Sequence, residues 1–170
     1  MGVGVIALVG AVGLNMNTGK KSAQTSPSTT VSGTSGIRFA NVTVTAASAH
    51  GESAVAMTII NKSDGPISLM TVTSPLSSMN MLYYDTNMCQ GDTAMTWLAN
   101  IFISQNQVQL LGYQNQGVML ARLHQDLKVG TTVPLQVKYS NFSTARIVTL
   151  QARVVAPPKG LHFHLSAMKM

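Results

Sequence analysis

The amino-acid sequence predicts an all-β domain, a sandwich of short strands, for the following reasons. Only 9% of the 170 residues are charged, which disfavours long surface helices because their wet faces need Glu, Lys and Arg. Residues 37–155 contain short runs in which apolar and polar residues alternate, the period of a half-buried strand. Turn residues separate these runs at the spacing of a sandwich. Hydrophobic residues make up 45% of the chain, so we expect a sizeable core.

The chain begins with an apolar segment. Residues 3–14 (VGVIALVGAVGL) are too short for a comfortable transmembrane helix and have the length of a signal-peptide core. Lys20 and Lys21 follow this run and no basic residue precedes it, which is the reverse of the usual charge order. We interpret residues 1–17 as an export signal or short anchor. The domain is therefore expected outside the cytoplasm, in the periplasm or at the cell surface, with membrane contact only through this segment if it is uncleaved.

Residues 18–36 (TGKKSAQTSPSTTVSGTSG) are predicted to be a Ser/Thr/Gly-rich linker, because they have little to bury. Beyond it, each alternating run predicts a strand, and a helical turn is allowed only at 123–127. Pro157 and Pro158 end the last strand, and residues 156–170 form a separate His- and Met-rich tail. The predicted strands are 37–45, 54–61, 67–73, 79–84, 94–103, 107–111, 117–123, 132–140 and 145–155.

Charge and motifs exclude two classes of function. Eleven basic residues against five acids give a pI near 9.8, but the basic residues are scattered and not interleaved with aromatics, unlike a nucleic-acid binder. The chain carries no nucleophile elbow, zinc-protease helix, phosphate loop or dinucleotide fingerprint. Its five acids fall in predicted loops with no spacing that indicates a paired-carboxylate site. We expect neither nucleic-acid binding nor enzymatic activity.

Sulfur-containing residues are the unusual feature. Cys89 is the single cysteine of the chain, so it forms no internal disulfide. In its predicted turn it is either a lone free thiol, which we favour, or a thiolate ligand for Cu(I). There are eleven methionines, and methionine is either a gap-filler in cores or a soft thioether ligand for Cu(I). Met79 and Met81 share a strand face, which is either part of the core, as we favour, or the rim of a pocket. The central stretch contains Met79, Met81, Met88, Met95 and Met119.

Three segments carry a resemblance to a known family: 56–61 (AMTIIN), 67–75 (ISLMTVTSP) and, most specifically, 117–137 (GVMLARLHQDLKVGTTVPLQV). They resemble the periplasmic Cu(A)-type copper chaperones of bacteria, over residues 37–155. The resemblance implies a cupredoxin-like, immunoglobulin-like Greek-key β-sandwich. It also implies a Cu(I) cargo that is handed to an acceptor protein such as a terminal cytochrome oxidase. We expect a monomer.

That family binds Cu(I) through the pattern His-x10-Met-x21-His-x-Met. Laid on this sequence, the pattern retains Met95 and Met119, whereas Tyr84 and Gly117 stand at the histidine positions. An alignment anchored on 74–75 places Tyr83 at the first histidine instead, so neither alignment restores an imidazole. Two thioethers alone make a weak Cu(I) site. Tyr84 and Gly117 are therefore interpreted as residues that line an altered pocket without binding copper.

The C-terminal tail offers replacement ligands. His162 and His164 are two residues apart, and so are Met168 and Met170; an extended strand places each pair on one face. We predict a composite copper site formed by Met95 and Met119 on the sandwich with these four tail residues. Cu(II) is an alternative occupant of the histidine pair, and non-specific binding of divalent metals by a tail is the simplest alternative.

Three residues outside the pattern have simple interpretations. His50 and His124 do not match ligand positions and are predicted to be surface histidines. Trp97, two residues after Met95, either shields a copper ion or anchors the core. The alternative function is an exported interaction domain that has lost its metal and uses its methionines for packing or partner binding. A tail that scavenges metal alone, on an inert sandwich, is a weaker third possibility.

Overall fold

A computed structural model of the protein describes residues 31–32, 36–85, 95–113, 115–141 and 144–159. These residues form β-strands joined by turns. None of the described segments forms a helix that could cross a bilayer. The strands are β1 (Val31–Ser32), β2 (Ile37–Thr45), β3 (Ser53–Asn61), β4 (Ile67–Thr73), β5 (Ser77–Asp85), β6 (Met95–Leu98), β7 (Ile101–Ile103), β8 (Val108–Leu111), β9 (Gln116–Leu123), β10 (Thr132–Asn141) and β11 (Thr144–Val155).

The strands hydrogen-bond in the order β6-β5-β9-β3-β2-β11-β10-β4-β7, with β1 beside β2 and β8 beside β3. Neighbours are antiparallel except β11 and β2, which pair in parallel through residues 153–155 and 43–45. Residues from near both ends of this order, such as Leu82 of β5 and Ile103 of β7, contribute to one apolar core. The sheet therefore curls around a shared interior, and the predicted all-β cupredoxin-like sandwich is confirmed.

Alternation along the strands fills this core. In β10, buried Val133, Leu135, Val137 and Tyr139 are separated by more exposed residues, as expected when one face of a sheet is dry. In β2, alternation is interrupted where the register with β3 shifts between Ala40 and Thr43. Three steps along β2 oppose two along β3 there, and the one extra residue bends the strand as in a β-bulge, which increases the local twist.

The predicted strands match the observed ones closely, with three differences. The predicted strand 94–103 is two strands, because β6 pairs with β5 whereas β7 pairs with β4. β1 lies within the segment predicted as a linker and pairs with residues 38–39. Residues 123–127 do not form a helical turn; instead Leu127 bridges to Ala47, so the backbone groups there are satisfied by pairing.

β8 and β9 lie end to end along the same edge of β3. Leu111 of β8 faces Met57, and Val118 of β9 faces Val55. From Leu111 to Val118 the chain advances by seven residues, whereas their partners on β3 are only two residues apart. The extra residues form a loop that is closed by a hydrogen bond from the amide of Gly112 to the carbonyl of Gln116 (2.9 Å). In this β8–β9 connection, Gly112 and Tyr113 lie next to the candidate site.

Candidate metal-binding face

The strands β6, β5 and β9 place a group of chemically relevant residues on one side of the sheet. Tyr83 pairs with Gly117 on β9 and with Trp97 on β6, and Met81 pairs with Met119. Directly opposed residues of antiparallel strands project to the same face. The intervening residues, among them Leu82, belong to the core on the other side. We call the first group the outer face: Met79, Met81, Tyr83, Trp97, Gly117 and Met119.

The outer face is a second apolar layer outside the main core. Tyr83 is 0% exposed and Met119 1% exposed, yet neither is part of the core cluster. Ala54 of β3 lies opposite Met119, and Ala121 of β9 lies opposite Met79 of β5. Both alanines are buried, so the surroundings of the Met119 side chain are lined by small residues.

The methionines Met79 and Met81 are half-buried and do not pack against the main core. The interpretation of these two residues as core fillers is therefore wrong. Alternation along the sequence predicts that they share a face, but only the pairing of β5 shows which face of the strand packs against the core. Trp97 is 38% exposed. It lies over the outer face and is not an anchor of the core.

Tyr83 fills the space beside Gly117. A Cβ atom on Gly117 would lie 2.5 Å from the Tyr83 hydroxyl oxygen and 2.6 Å from the ring carbon that bears it, and closer still to the carbonyl oxygen of Gly112. The Tyr83 hydroxyl donates hydrogen bonds to the carbonyls of Gly112 (3.3 Å) and Tyr113 (3.5 Å). The β8–β9 connection therefore packs against the phenol, and the space that a side chain at 117 would need is occupied.

Tyr84 lies elsewhere. It pairs with Thr96 and Gln116 and so belongs to the alternation that faces the core, although it is exposed near the end of β5. The interpretation of Tyr84 as a residue that lines the pocket is therefore wrong. The alternative alignment, which puts Tyr83 at the first histidine position, fits the observed face because Tyr83 lies directly opposite Gly117.

The predicted ligands Met95 and Met119 lie on β6 and β9, the two strands that flank β5. Met95 pairs with Asp85, whereas Met119 pairs with Met81. These two positions on β5 are four residues, or about 13 Å, apart along the strand. The thioether nearest to Met119 by register is therefore that of Met81. The sequence could not show this, because it requires the pairing of β5 with β9.

The remaining predicted donors are distributed as follows. Cys89 and the tail residues His162, His164, Met168 and Met170 lie outside the described residues. His50 and His124 are exposed, as predicted, and the His124 Nε2 atom lies 3.2 Å from the Ser78 hydroxyl. Within the described ranges, no three His, Cys, Asp or Glu side chains are grouped as a metal site would require.

Comparison with known proteins identifies both family and fold. The profile of the LpqE-like family, whose name refers to a lipoprotein, matches residues 37–163. No curated protein matches the chain. Among solved structures, the copper-bound PCuAC domain from PmoF2 superposes with a TM-score of 0.61 at 16% identity, covering 74% of this chain and 97% of that domain. The apo PCuAC domain from PmoF1 gives 0.59 at 18% identity, covering 72% and 95%.

The solution structure of Cu(I)-DR1885 from Deinococcus radiodurans has a higher sequence identity. It superposes with a TM-score of 0.54 at 29% identity, and the match covers 79% of this chain and 83% of that one. The fold predicted from the resemblance is thus the fold of three solved domains, two of which were determined with copper bound.

Proposed function

The chain belongs to the LpqE-like family, and from this membership and its PCuAC-like fold we propose that it binds Cu(I) outside the cytoplasm and passes the ion to an acceptor protein. The observation that carries the proposal is the position of Met119. This residue keeps its place in the copper-binding pattern and lies on the outer face, not in the core.

The proposal takes its imidazole ligands from another part of the chain. Because Tyr83 and Gly117 supply none, His162 and His164 of the tail are the proposed source, together with Met168 and Met170. The proposed donor on the sandwich is Met119. Met95, also predicted as a donor, pairs with a position on β5 about 13 Å along the strand from the partner of Met119, which is too far for the two thioethers to share one ion. Neutral imidazole combined with thioether is a donor set that suits Cu(I).

The length of the tail supports this assignment. Val154, Val44, Val55 and Val118 are paired in succession across β11, β2, β3 and β9. Three strand spacings therefore separate the end of β11 from β9, or about 14 Å. His162 follows Val155 by seven residues, which span up to about 23 Å when extended. The tail is long enough to bring its histidines to the outer face.

Transfer to an acceptor follows from the same chemistry. Thioether and imidazole ligands are neutral and bind singly, so an incoming acceptor ligand replaces them one at a time and the ion is never released to water. A protein with this role needs no catalytic residues, and we propose a non-enzymatic function. The acceptor proposed is the copper site of a protein such as a terminal oxidase. The apolar residues 3–14 support export.

A competition titration of Cu(I) against a chromophoric chelator tests the proposal. The full-length chain should bind one ion, and His162→Ala combined with His164→Ala should weaken binding by at least about tenfold, because even substitutions outside the ligand set commonly cost 10- to 100-fold in metal affinity. His50→Ala combined with His124→Ala is the matched control, since both histidines are exposed and neither is one of the residues of the outer face. Equal losses in the two double variants would contradict the proposed site.

A second function is favoured by a different observation. Leu110 is 69% exposed, and Val108, Phe102 and Ile147 are also exposed. Apolar side chains of this size on a surface are typical of protein contact sites when they form a patch. If the full-length chain binds no Cu(I), we infer an interaction domain that has kept the sandwich and lost the metal.

A further inference from the structure

Three methionines meet on the outer face without help from the tail. Met81 lies directly opposite Met119 in the pairing of β5 with β9, and Met79 is the next residue on the same face of β5. The Cβ atoms of directly opposed residues are about 4.5–5.5 Å apart. Met79 is the diagonal neighbour of Met119, a spacing of up to about 7–8 Å, and the flexible methionine side chain, with its several rotatable bonds, allows the three sulfur atoms to converge.

We propose that Met79, Met81 and Met119 form a three-thioether site for Cu(I), which explains how the proposed copper function survives the loss of both histidines. Thioether sulfur is a soft ligand that selects Cu(I) over harder cations. The proposal rests on the proposed function and names the ligands on which it depends. The tail imidazoles then strengthen a site that already exists on the sandwich.

Burial supports a binding role for this cluster. Met119 is buried and Met79 and Met81 are half-buried, so one ligand is sheltered and two form the rim that an ion or an acceptor reaches first. Around them the small side chains of Ala54 and Ala121 take little space. Trp97 lies on the same face opposite Tyr83 and is 38% exposed, and indole is the aromatic ring that attracts a nearby cation most strongly.

The position of Tyr83 explains why the ion is placed at Met81 and Met119. The phenol occupies the space beside Gly117, and its hydroxyl is held by the β8–β9 connection. A copper ion therefore has no room at the Tyr83–Gly117 pair. One step along the strands, at the Met81–Met119 pair, the facing residues are both thioethers.

Silver(I), a redox-inert substitute for Cu(I), provides a direct test on the full-length chain with 13C-labelled methionine methyl groups. We expect the methyl resonances of Met79, Met81 and Met119 to shift together and to saturate at one equivalent. The resonances of Met57, in the core, and Met70, exposed on β4, should stay in place. Single leucine substitutions at these positions assign the signals.

The affinity counterpart uses Met79→Leu combined with Met81→Leu in a chain that also carries His162→Ala and His164→Ala. The rim substitutions should weaken residual Cu(I) binding by at least about tenfold, by analogy with other losses around metal sites, whereas Met70→Leu should leave it unchanged. If the wild-type chain binds copper but Met79 and Met81 do not respond, the thioether site is wrong and the tail-based function stands. If the wild-type chain binds no copper, both fail.

Discussion

At the scale of single residues, Tyr139 is an unusual feature of the core. Its side chain is 1% exposed, and its ring lies 5.8 Å from that of Phe39. Among the residues that the structure describes, its hydroxyl has no hydrogen-bond partner. Burial raises the pKa of Tyr139 above its ordinary value of 10.0, and the nearby positive charge of Arg146 lowers it by a smaller amount. The buried hydroxyl therefore costs stability.

Tyr139→Phe should stabilise the protein, because the substitution removes an unsatisfied buried hydroxyl, a feature that costs about 1–3 kcal/mol. Denaturant unfolding at neutral pH measures the change. Tyr84→Phe, at an exposed position, is the matched control and should change little. A loss of stability in Tyr139→Phe would indicate a hydrogen-bond partner for the phenol.

The same substitution has a signature in the pH dependence of stability. The pKa of Tyr139 is higher in the folded state than in the unfolded state, where it is about 10. Below about pH 10 the phenol is protonated in both states, so its ionisation leaves the free energy of unfolding unchanged. As the pH rises further, the unfolded state ionises first and the free energy of unfolding falls. Tyr139→Phe should lose stability less steeply above pH 10 than the wild type does. Identical alkaline slopes for the two proteins would contradict this assignment.

At the scale of secondary-structure elements, the pairing of β5 with β9 brings Tyr83 and Gly117 so close that the size of one side chain limits the size of the other. Gly117→Ala should destabilise the protein by about 1–3 kcal/mol, the usual cost of overpacking, because its Cβ meets the Tyr83 phenol and the Gly112 carbonyl. Combined with Tyr83→Ala, the substitution should cost less than the sum of the two single changes by at least about 0.5 kcal/mol. Chemical denaturation of the four proteins of this cycle gives the coupling energy.

The control for this cycle pairs Tyr83→Ala with Ile147→Ala. Ile147 is exposed on β11, four steps from β5 in the strand order, and distant sites are usually additive. An additive result for the pair at 83 and 117, matching the control, would mean that the Tyr83 ring moves away freely when a side chain is placed at 117.

The positions of strands could be predicted from the sequence where one face of the strand is buried in the core. In β10 the alternation of apolar and polar residues is regular, in β2 it is interrupted once by the register shift, and in both strands the predicted bounds agree with the structure to within a residue. The split between β6 and β7 was missed because the apolar pattern continues through 94–103, although the two strands pair with different neighbours. Local pattern reports which residues alternate, but not what they pair with.

The candidate site, too, could be predicted only as far as local sequence pattern defines it. The sequence placed Met119 in the copper-binding pattern, and the structure puts this residue on the outer face. The choice between Tyr83 and Tyr84 needed the register of β5, which only long-range pairing defines. The same is true of Met81, which lies 38 residues from Met119 in the chain and directly opposite it in the sheet.

At the scale of the whole molecule, the C-terminal strand joins the two ends of the described chain. Residues 153–155 pair in parallel with residues 43–45, and Val154 is fully buried in the core. A chain that ends at Pro158 should keep the cooperative thermal unfolding of the full-length protein. A chain that ends at Ala152 should lose it, because the parallel pairing and the buried Val154 are removed. Near-UV circular dichroism during heating distinguishes the two.

Equal cooperativity in both truncated chains would mean that the pairing of β11 with β10 alone holds this strand in the sheet. Loss of cooperativity in both would show that residues after Pro158 contribute to the fold, which would assign the tail a structural role.

The contact between Tyr83 and Gly117 also has a consequence for the order of evolutionary change. Starting from a chain with histidines at the two positions of the family pattern, a tyrosine at 83 finds its ring position taken by the side chain at 117. Glycine at 117 must therefore arrive first or at the same time. In the reverse direction, histidine at 117 is accepted only after Tyr83 has been replaced. Packing thus fixes the order of the two substitutions: an imidazole pair at 83 and 117 is reached from this chain only through the replacement of Tyr83, and that step removes the phenol that is hydrogen-bonded to the β8–β9 connection.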